Sequence, residues 1–153
     1  MQTFFAEYLS LLQRCHDDIL KAIEGLPPAA VDWIPGQDMN SIGVLMTHII
    51  GSERYLIGDI VAQESSNRNR DAEFEAHDVD LNILRQRLAD NLEYARTVVQ
   101  KLSLQDLESK RVSPAGREHT VAWGLLHGLE HATLHLGQIQ LTRQLWEQAN
   151  VSD

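Results

Sequence analysis

The chain has 153 residues, 43% hydrophobic and 23% charged, with a formal net charge of -9. This suits one soluble domain, residues 1–153, with a core large enough to fold alone. A pI near 5.1, with no local run of Lys or Arg, disfavours nucleic-acid binding, because an acidic surface repels phosphate.

The first segment, "MQTFFAEYLSLLQRCHDD", has a Glu within its apolar part and no cationic start, so it does not look like a signal peptide. Its Cys15 is the only cysteine. It can form no internal disulfide, which points to a reducing, cytoplasmic setting. A packed helical thiol is the simple reading of it. The longest apolar stretch, "IGVLMTHII", is too short to span a bilayer, so no membrane partner is expected.

Helical periodicity predicts a first helix from about Thr3 to Glu24, stopped by Gly25 and Pro27–Pro28. A connector, "LPPAAVDWIPGQDMN", follows. Ser41 suits an N-cap for a second helix from Ile42 to Gln63. The polar "ESSNRNRDAEFEAHDVD" reads as a loop in which His77 is solvated. Asp80 or a neighbour starts a third helix that continues to about Leu102. "LSLQDLESKRVSPAGREH" is a connector with one short turn around Gln105–Glu108, and Thr120 caps a fourth helix, Val121–Ala149. No strand alternation persists. The fold expected is all-α, a four-helix bundle with crossover connections.

On the fourth helix, "HGLEHATLHLGQIQ" spaces His127, His131 and His135 by four. At 100° per residue they span about 80° of one strip, continued by Gln138 and Thr142 and bordered by apolar residues. The imidazoles therefore point inward and need partners. On the second helix, His48 also lies in an apolar surround, sharing its strip with Ser52 and Tyr55. A facing helix could present it to two of the others, giving three histidines and open positions. The competing reading is a set of core histidines bonded to backbone or water.

Familiar alternatives fail on residues. Ala132 follows His131 where a zincin needs Glu, and Leu45, Gly128 and Ala132 stand where E-x-x-H di-iron sites need Glu. No phosphate-binding Gly-rich loop or G-x-S-x-G elbow is present. Glu130, about 100° from His131, sits at the strip's edge, and Glu53, about 140° from His48, points elsewhere. Asp59 is on the right face but roughly 16 Å along the axis. All three read as solvated or cross-helix-paired carboxylates. Tyr55 and Gln138 share the histidine strips and are candidates to line a pocket.

"SIGVLMTHIIGSE", followed by "LEHATLHLGQI", resembles the DinB/YfiT-like superfamily of metal-dependent enzymes. The resemblance covers nearly the whole chain, including the W-x-P connector. It implies a four-helix bundle, often dimeric, in which three histidines hold a divalent metal ion such as zinc or nickel. Carried over by position, the ligands are His48, His131 and His135, while His127 matches none and is read as a neighbour. Relatives of this kind include thiol S-transferases using bacillithiol or mycothiol and a mycothiol-dependent isomerase, so a low-molecular-weight thiol is the implied partner. The expected activity is metal-dependent thiol S-transfer, or hydrolysis of a small electrophilic substrate. The alternatives are a metal- or small-ligand-binding module without turnover, and a helical interaction protein without metal.

Ala122, Leu125, Leu129 and Leu136 give the fourth helix a second apolar face, as Met46, Ile50 and Ile57 do for the second. Such faces meet other helices of the bundle or cover each other across subunits. A homodimer using parts of both helices is the expectation.

Overall fold

In the computed structural model, which describes residues 1–150, four long helices carry the chain. They are α1 (Thr3–Ala22), α3 (Ile42–Tyr55), α5 (Leu81–Val99) and α6 (Val121–Ala149). Two short helices, α2 (Pro28–Asp32) and α4 (Arg70–Phe74), interrupt connectors that read as irregular in the sequence.

The helices begin where side chains can cap them. Ser41 Oγ accepts from Val44 N at 3.2 Å, Asp80 Oδ1 from Asn82 N at 2.8 Å, and Thr120 Oγ1 from Trp123 N at 3.1 Å. Each cap satisfies a backbone donor that the first helical turn leaves free.

α1 and α3 each pack on both α5 and α6, so α1 and α3 are diagonal partners across the bundle. α1 buries Phe5, Tyr8, Leu9, Leu12, Cys15, His16 and Ile19, a spacing of three and four that gives one inward stripe. The core falls into two apolar clusters. One is built on Ile19, Ile42, Met46, Leu88 and Ile139, the other on Phe5, Leu12, Ile57, Ala95 and Leu125.

The second helix does not run on as one α-helix to Gln63. From Leu56 to Ala62 it becomes a π-helix, closed by Gln63 in the left-handed conformation at φ 57°. Apolar positions 56, 57, 60 and 61 are buried on either geometry, which hides the change from periodicity. α6 lies hard against this segment: a Cβ on Gly124 would sit 2.8 Å from Val61 Cγ2.

Before α6 the chain makes a 3₁₀ turn (Leu104–Glu108) and a two-stranded antiparallel hairpin, β1 (Lys110–Val112) and β2 (Glu118–Thr120). Arg111 pairs with His119, and Gly116 takes φ 77° in the turn. Strands of three residues are too short to show alternation in sequence. The hairpin delivers Thr120 directly into its capping position.

The second apolar faces are covered within the chain. Leu125 and Leu136 on α6 and Met46 and Ile50 on α3 are buried, as is Ile57 in the π-helical segment. α3 therefore offers no apolar surface to a partner through these residues. What α6 leaves exposed is a different stripe, Trp123, Leu126, Leu134 and Leu141. Among the described residues, no helix is long and apolar enough to cross a membrane.

Candidate metal centre

The half-turn that separates α6's buried face from its exposed stripe holds the histidines. His131 and His135 are half-buried there, and α3 presents the buried His48 to them. One ring nitrogen from each of the three lies within 4.8 Å of the others. His48 Nε2 is 3.0 Å, and His135 Nε2 3.1 Å, from His131 Nε2. Two nitrogens each ~2.1 Å from one ion are separated by ~3.0 Å at a right angle and ~3.4 Å at the tetrahedral angle. The observed separations lie at and just above the right-angle value.

The opposite ring atoms decide which nitrogen is free. His48 Nδ1 donates to Glu73 Oε2 at 2.9 Å, and an ionised carboxylate only accepts. His135 Nδ1 donates to Gln138 Oε1 at 2.6 Å. Both rings therefore turn a bare Nε2 lone pair toward His131 Nε2. Two lone pairs aimed at the third imidazole nitrogen place three potential ligand atoms together, and a bound cation satisfies all three at once. The donor set fits a divalent transition ion with open positions.

The electrostatics agree. Burial first, then the neighbouring His135, His48, His127 and Arg68, hold the His131 pKa down at about 3. Burial also lowers that of His48, outweighing the hydrogen bond to Glu73, which acts to raise it. Both rings are neutral near pH 7, the form that binds metal.

Glu73 comes from α4, inside the segment that reads as a polar loop. Its carboxylate is buried and gripped by Arg68, Nε to Oε1 at 2.6 Å and Nη2 to Oε2 at 2.8 Å. It reaches His48 because α3 has Gly51 at the point of contact: a Cβ there would lie 2.7 Å from Glu73 Cδ and closer still to Oε1. Phe74 packs on the His48 ring, centroids 4.8 Å apart. Sequence reasoning missed Glu73 and Arg68. The available signal was a pair of opposite charges five apart in "RNRDAEF" with Asn69 as a cap, and Asn69 Oδ1 does accept from Ala72 N.

The remaining candidates divide. His127 stands beside the cluster, its ring centroid 6.1 Å from that of His131 and its Nδ1 bonded to Glu130 Oε2 at 3.1 Å. Trp123 stacks between His127 at 4.6 Å and His119 at 3.9 Å, so the strip continues as an aromatic ladder. Gln138 holds His135 as described. Tyr55 lies under the Arg68 guanidinium, 5.6 Å from ring centroid to Cζ. Asp59 is used locally, accepting from Ser66 N at 3.0 Å. Cys15 is buried and its thiol pKa is pushed up by burial, so it is no ready nucleophile.

Glu53 does point away from His48, but into the core rather than to solvent. It meets His16 Nε2 at 2.8 Å across the diagonal from α3 to α1, both residues 2% exposed.

Fold and site together define a helical bundle with a three-histidine cluster on one flank. The chain matches the DinB superfamily over residues 11–139, and it belongs to that family. No curated protein matches its sequence. Among solved structures, YfiT from Bacillus subtilis, "a probable metal-dependent hydrolase with an unusual four-helix bundle topology", is 13% identical with a TM-score of 0.77, the match covering 99% of this chain and 91% of that one. A conserved protein from Enterococcus faecalis is 15% identical with a TM-score of 0.76, covering 95% of this chain and 98% of the other. A mycothiol-dependent maleylpyruvate isomerase is 14% identical with a TM-score of 0.64, over 91% of this chain and 63% of that one. At these identities the likeness is one of fold.

Proposed function

We propose that the protein is a metal-dependent enzyme in which His48, His131 and His135 hold one divalent ion, zinc or nickel, for nucleophilic transfer or hydrolysis on a small electrophilic substrate. The observation that carries this reading is the turning of the bare Nε2 atoms of His48 and His135, fixed by Glu73 and Gln138, toward Nε2 of His131. An ion bound there supplies Lewis acidity, lowering the pKa of a water or thiol so that a nucleophile exists at neutral pH.

The chain's own residues do the rest. Glu73 and Arg68 hold His48 in one tautomer and orientation, and Gln138 does so for His135. His127, backed by Glu130, is the group placed to take a proton from a nucleophile at the exposed flank. Phe74 covers His48, and Tyr55 lies beneath Arg68, which steadies the wall around the site.

The preferred nucleophile is a low-molecular-weight thiol. The isomerase sharing this fold uses one, and this chain has no exposed cysteine of its own. The test is a panel of small thiols with an electrophilic aryl halide or epoxide, beside activated esters and amides. Turnover that chelation removes and zinc or nickel restores supports the reading. Metal binding without turnover on either arm would leave a binding module in its place.

A homodimer completes the proposal, with the contact moved to the exposed side of α6. Trp123, Leu126, Leu134 and Leu141 are exposed and lie within about 80° of one another on α6, an apolar seam for a helix pair. A Cβ on Gly137 would meet nothing within 4 Å, so this stripe is free to receive an antiparallel copy of itself about a two-fold axis.

A further inference from the structure

In the groove between α3 and α6, about one helical turn beyond the histidine cluster, lies a pocket of about 130 Å³. Leu45, three residues before His48, and Thr142 form its floor, 3% and 2% exposed. Gln138, three residues after His135, stands in its wall. Asp38, Met39 and Asn40, from the connector ahead of α3, roof it. At ~30 Å³ for each water-sized group it holds about four non-hydrogen atoms, one functional group rather than a whole substrate.

The roof is held in place. Met39 N donates to Gly36 O at 3.2 Å, closing a turn in which Asp38 takes φ 61°, a left-handed conformation that Asp tolerates better than most residues. Trp33 packs edge-on against Trp146 of α6, centroids 5.7 Å apart, and ties the same connector to the helix.

The polar groups of the pocket are oriented as well. Gln138 gives its Oε1 to His135 Nδ1 at 2.6 Å, so the amide is fixed with its NH₂ as a spare donor. Thr142 is the exception among the threonines inside helices. Thr47, Thr97 and Thr133 each donate to the carbonyl four residues back, whereas Thr142 makes no side-chain hydrogen bond among the described residues. The Tyr8 and Ser66 hydroxyls are sealed away from any ligand, but that of Thr142 is not among such atoms and stands at the pocket wall. A hydroxyl left so costs free energy that a ligand's hydrogen bond removes. Asp38 is the one charged residue lining the pocket among the described residues, and its carboxylate only accepts.

We infer that this pocket binds an uncharged carboxamide group, which accepts from Gln138 and Thr142 through its oxygen and donates to Asp38 through its nitrogen. A carboxylate in the same place would meet Asp38 with like charge, and an ammonium would set a donor against the NH₂ of Gln138. Because Gln138 also orients His135, a substrate anchored here by its amide lies along the groove that leads to the cluster. The substrate class is then a small electrophile that carries an amide. That use of the pocket rests on the metal-dependent reading above; its affinity for the carboxamide does not.

The test is a ¹H–¹⁵N NMR titration of the full chain at constant ionic strength, with acetamide, acetate and ethylammonium in separate arms, each run before and after chelation. Saturable shifts centred on the amides of Asn40, Leu45, Gln138 and Thr142 are expected with acetamide alone, with the same affinity after chelation. Thr142→Val, which keeps the shape and removes the hydroxyl, should weaken binding about threefold, and Asp38→Ala about tenfold, as losing a neutral and a charged hydrogen bond does. Asp18→Asn on α1 should leave it unchanged. No saturable shift with acetamide would overturn the inference, as would tighter binding of acetate or ethylammonium, or acetamide binding that Thr142→Val leaves intact. Binding that chelation abolishes would overturn it too, by placing acetamide on an ion. Thr142→Val decides the matter even if Asp38→Ala disturbs the turn, and metal content, measured separately, keeps failure of the pocket distinct from failure of the metal centre.

Discussion

Glu73 Oε2 accepts the Nδ1 proton of His48 at 2.9 Å, joining a buried carboxylate on a five-residue helix to a histidine 25 positions earlier. The contact fixes which nitrogen of His48 faces His131. Removing the carboxylate frees the ring to turn or change tautomer. Glu73→Ala is expected to lower metal affinity by about 10- to 100-fold, the usual cost of losing such a partner. Gly51→Ala should act in the same direction without touching a ligand, since its Cβ would displace Glu73. Competition with a chromogenic chelator measures both, and unchanged affinity in the two variants would show that Glu73 does not orient the site.

The depressed pKa of His131 sets an acid limit on the metal-free protein. The unfolded chain takes up a proton on this residue near the ordinary 6.5, whereas the folded chain does so only at about 3. Between these values the unfolded state binds more protons, so stability is full above pH 6.5 and falls as pH drops through this window. His48, whose pKa is also lowered, adds to the same trend. Urea denaturation of chelated protein from pH 7.5 to pH 4 should show the loss. His131→Ala should flatten it, and equal slopes in wild type and variant would contradict the assignment.

Across the bundle, His16 and Glu53 form a buried pair whose stability role is separate from the site. His16 Nδ1, Glu53 Oε1 and the Tyr8 hydroxyl are buried beside it without a protein partner. Burial, with the charge of Glu53 behind it, drives the Tyr8 pKa upward. Deleting one partner strands the other, and His16→Ala is expected to cost about 3–5 kcal/mol. Chemical denaturation checks the cost. Metal content should not change, because no ligand is touched.

The exposed stripe on α6 gives the dimer a direct test. Leu134 is 62% exposed, so Leu134→Asp should not disturb the core. Wild type is expected to sediment at micromolar concentration as a two-chain species, and the variant as a single chain. A wild type that sediments as one chain would remove the dimer.

The helices and the histidines were legible for the same reason. Ser41, Asp80 and Thr120 cap the second, third and fourth helices, and the 100° step per residue alone sets His131 and His135 on one strip. Placing His48 against them needed the resemblance as well, because spacing within a helix does not choose the helix opposite. Glu73 was not legible. Its helix is too short to develop a period, and its burial depends on Gly51 in another element. Glu53 was read by its angle from His48, correctly as pointing elsewhere, but that angle does not reveal a histidine on a diagonal helix. The hairpin and the π-helical segment escaped because three-residue strands and a shifted hydrogen-bond register leave no distinct hydrophobic pattern.

The central claim is that three imidazoles hold one ion, and elemental mass spectrometry of untagged protein tests it most directly. Wild type should carry about one equivalent of zinc or nickel per chain after incubation and desalting. His48→Ala and His131→Ala should lose it, and His127→Ala should keep it. A wild type that holds no metal after incubation with either ion, or variants of His48 and His131 that hold as much as wild type, would contradict the site.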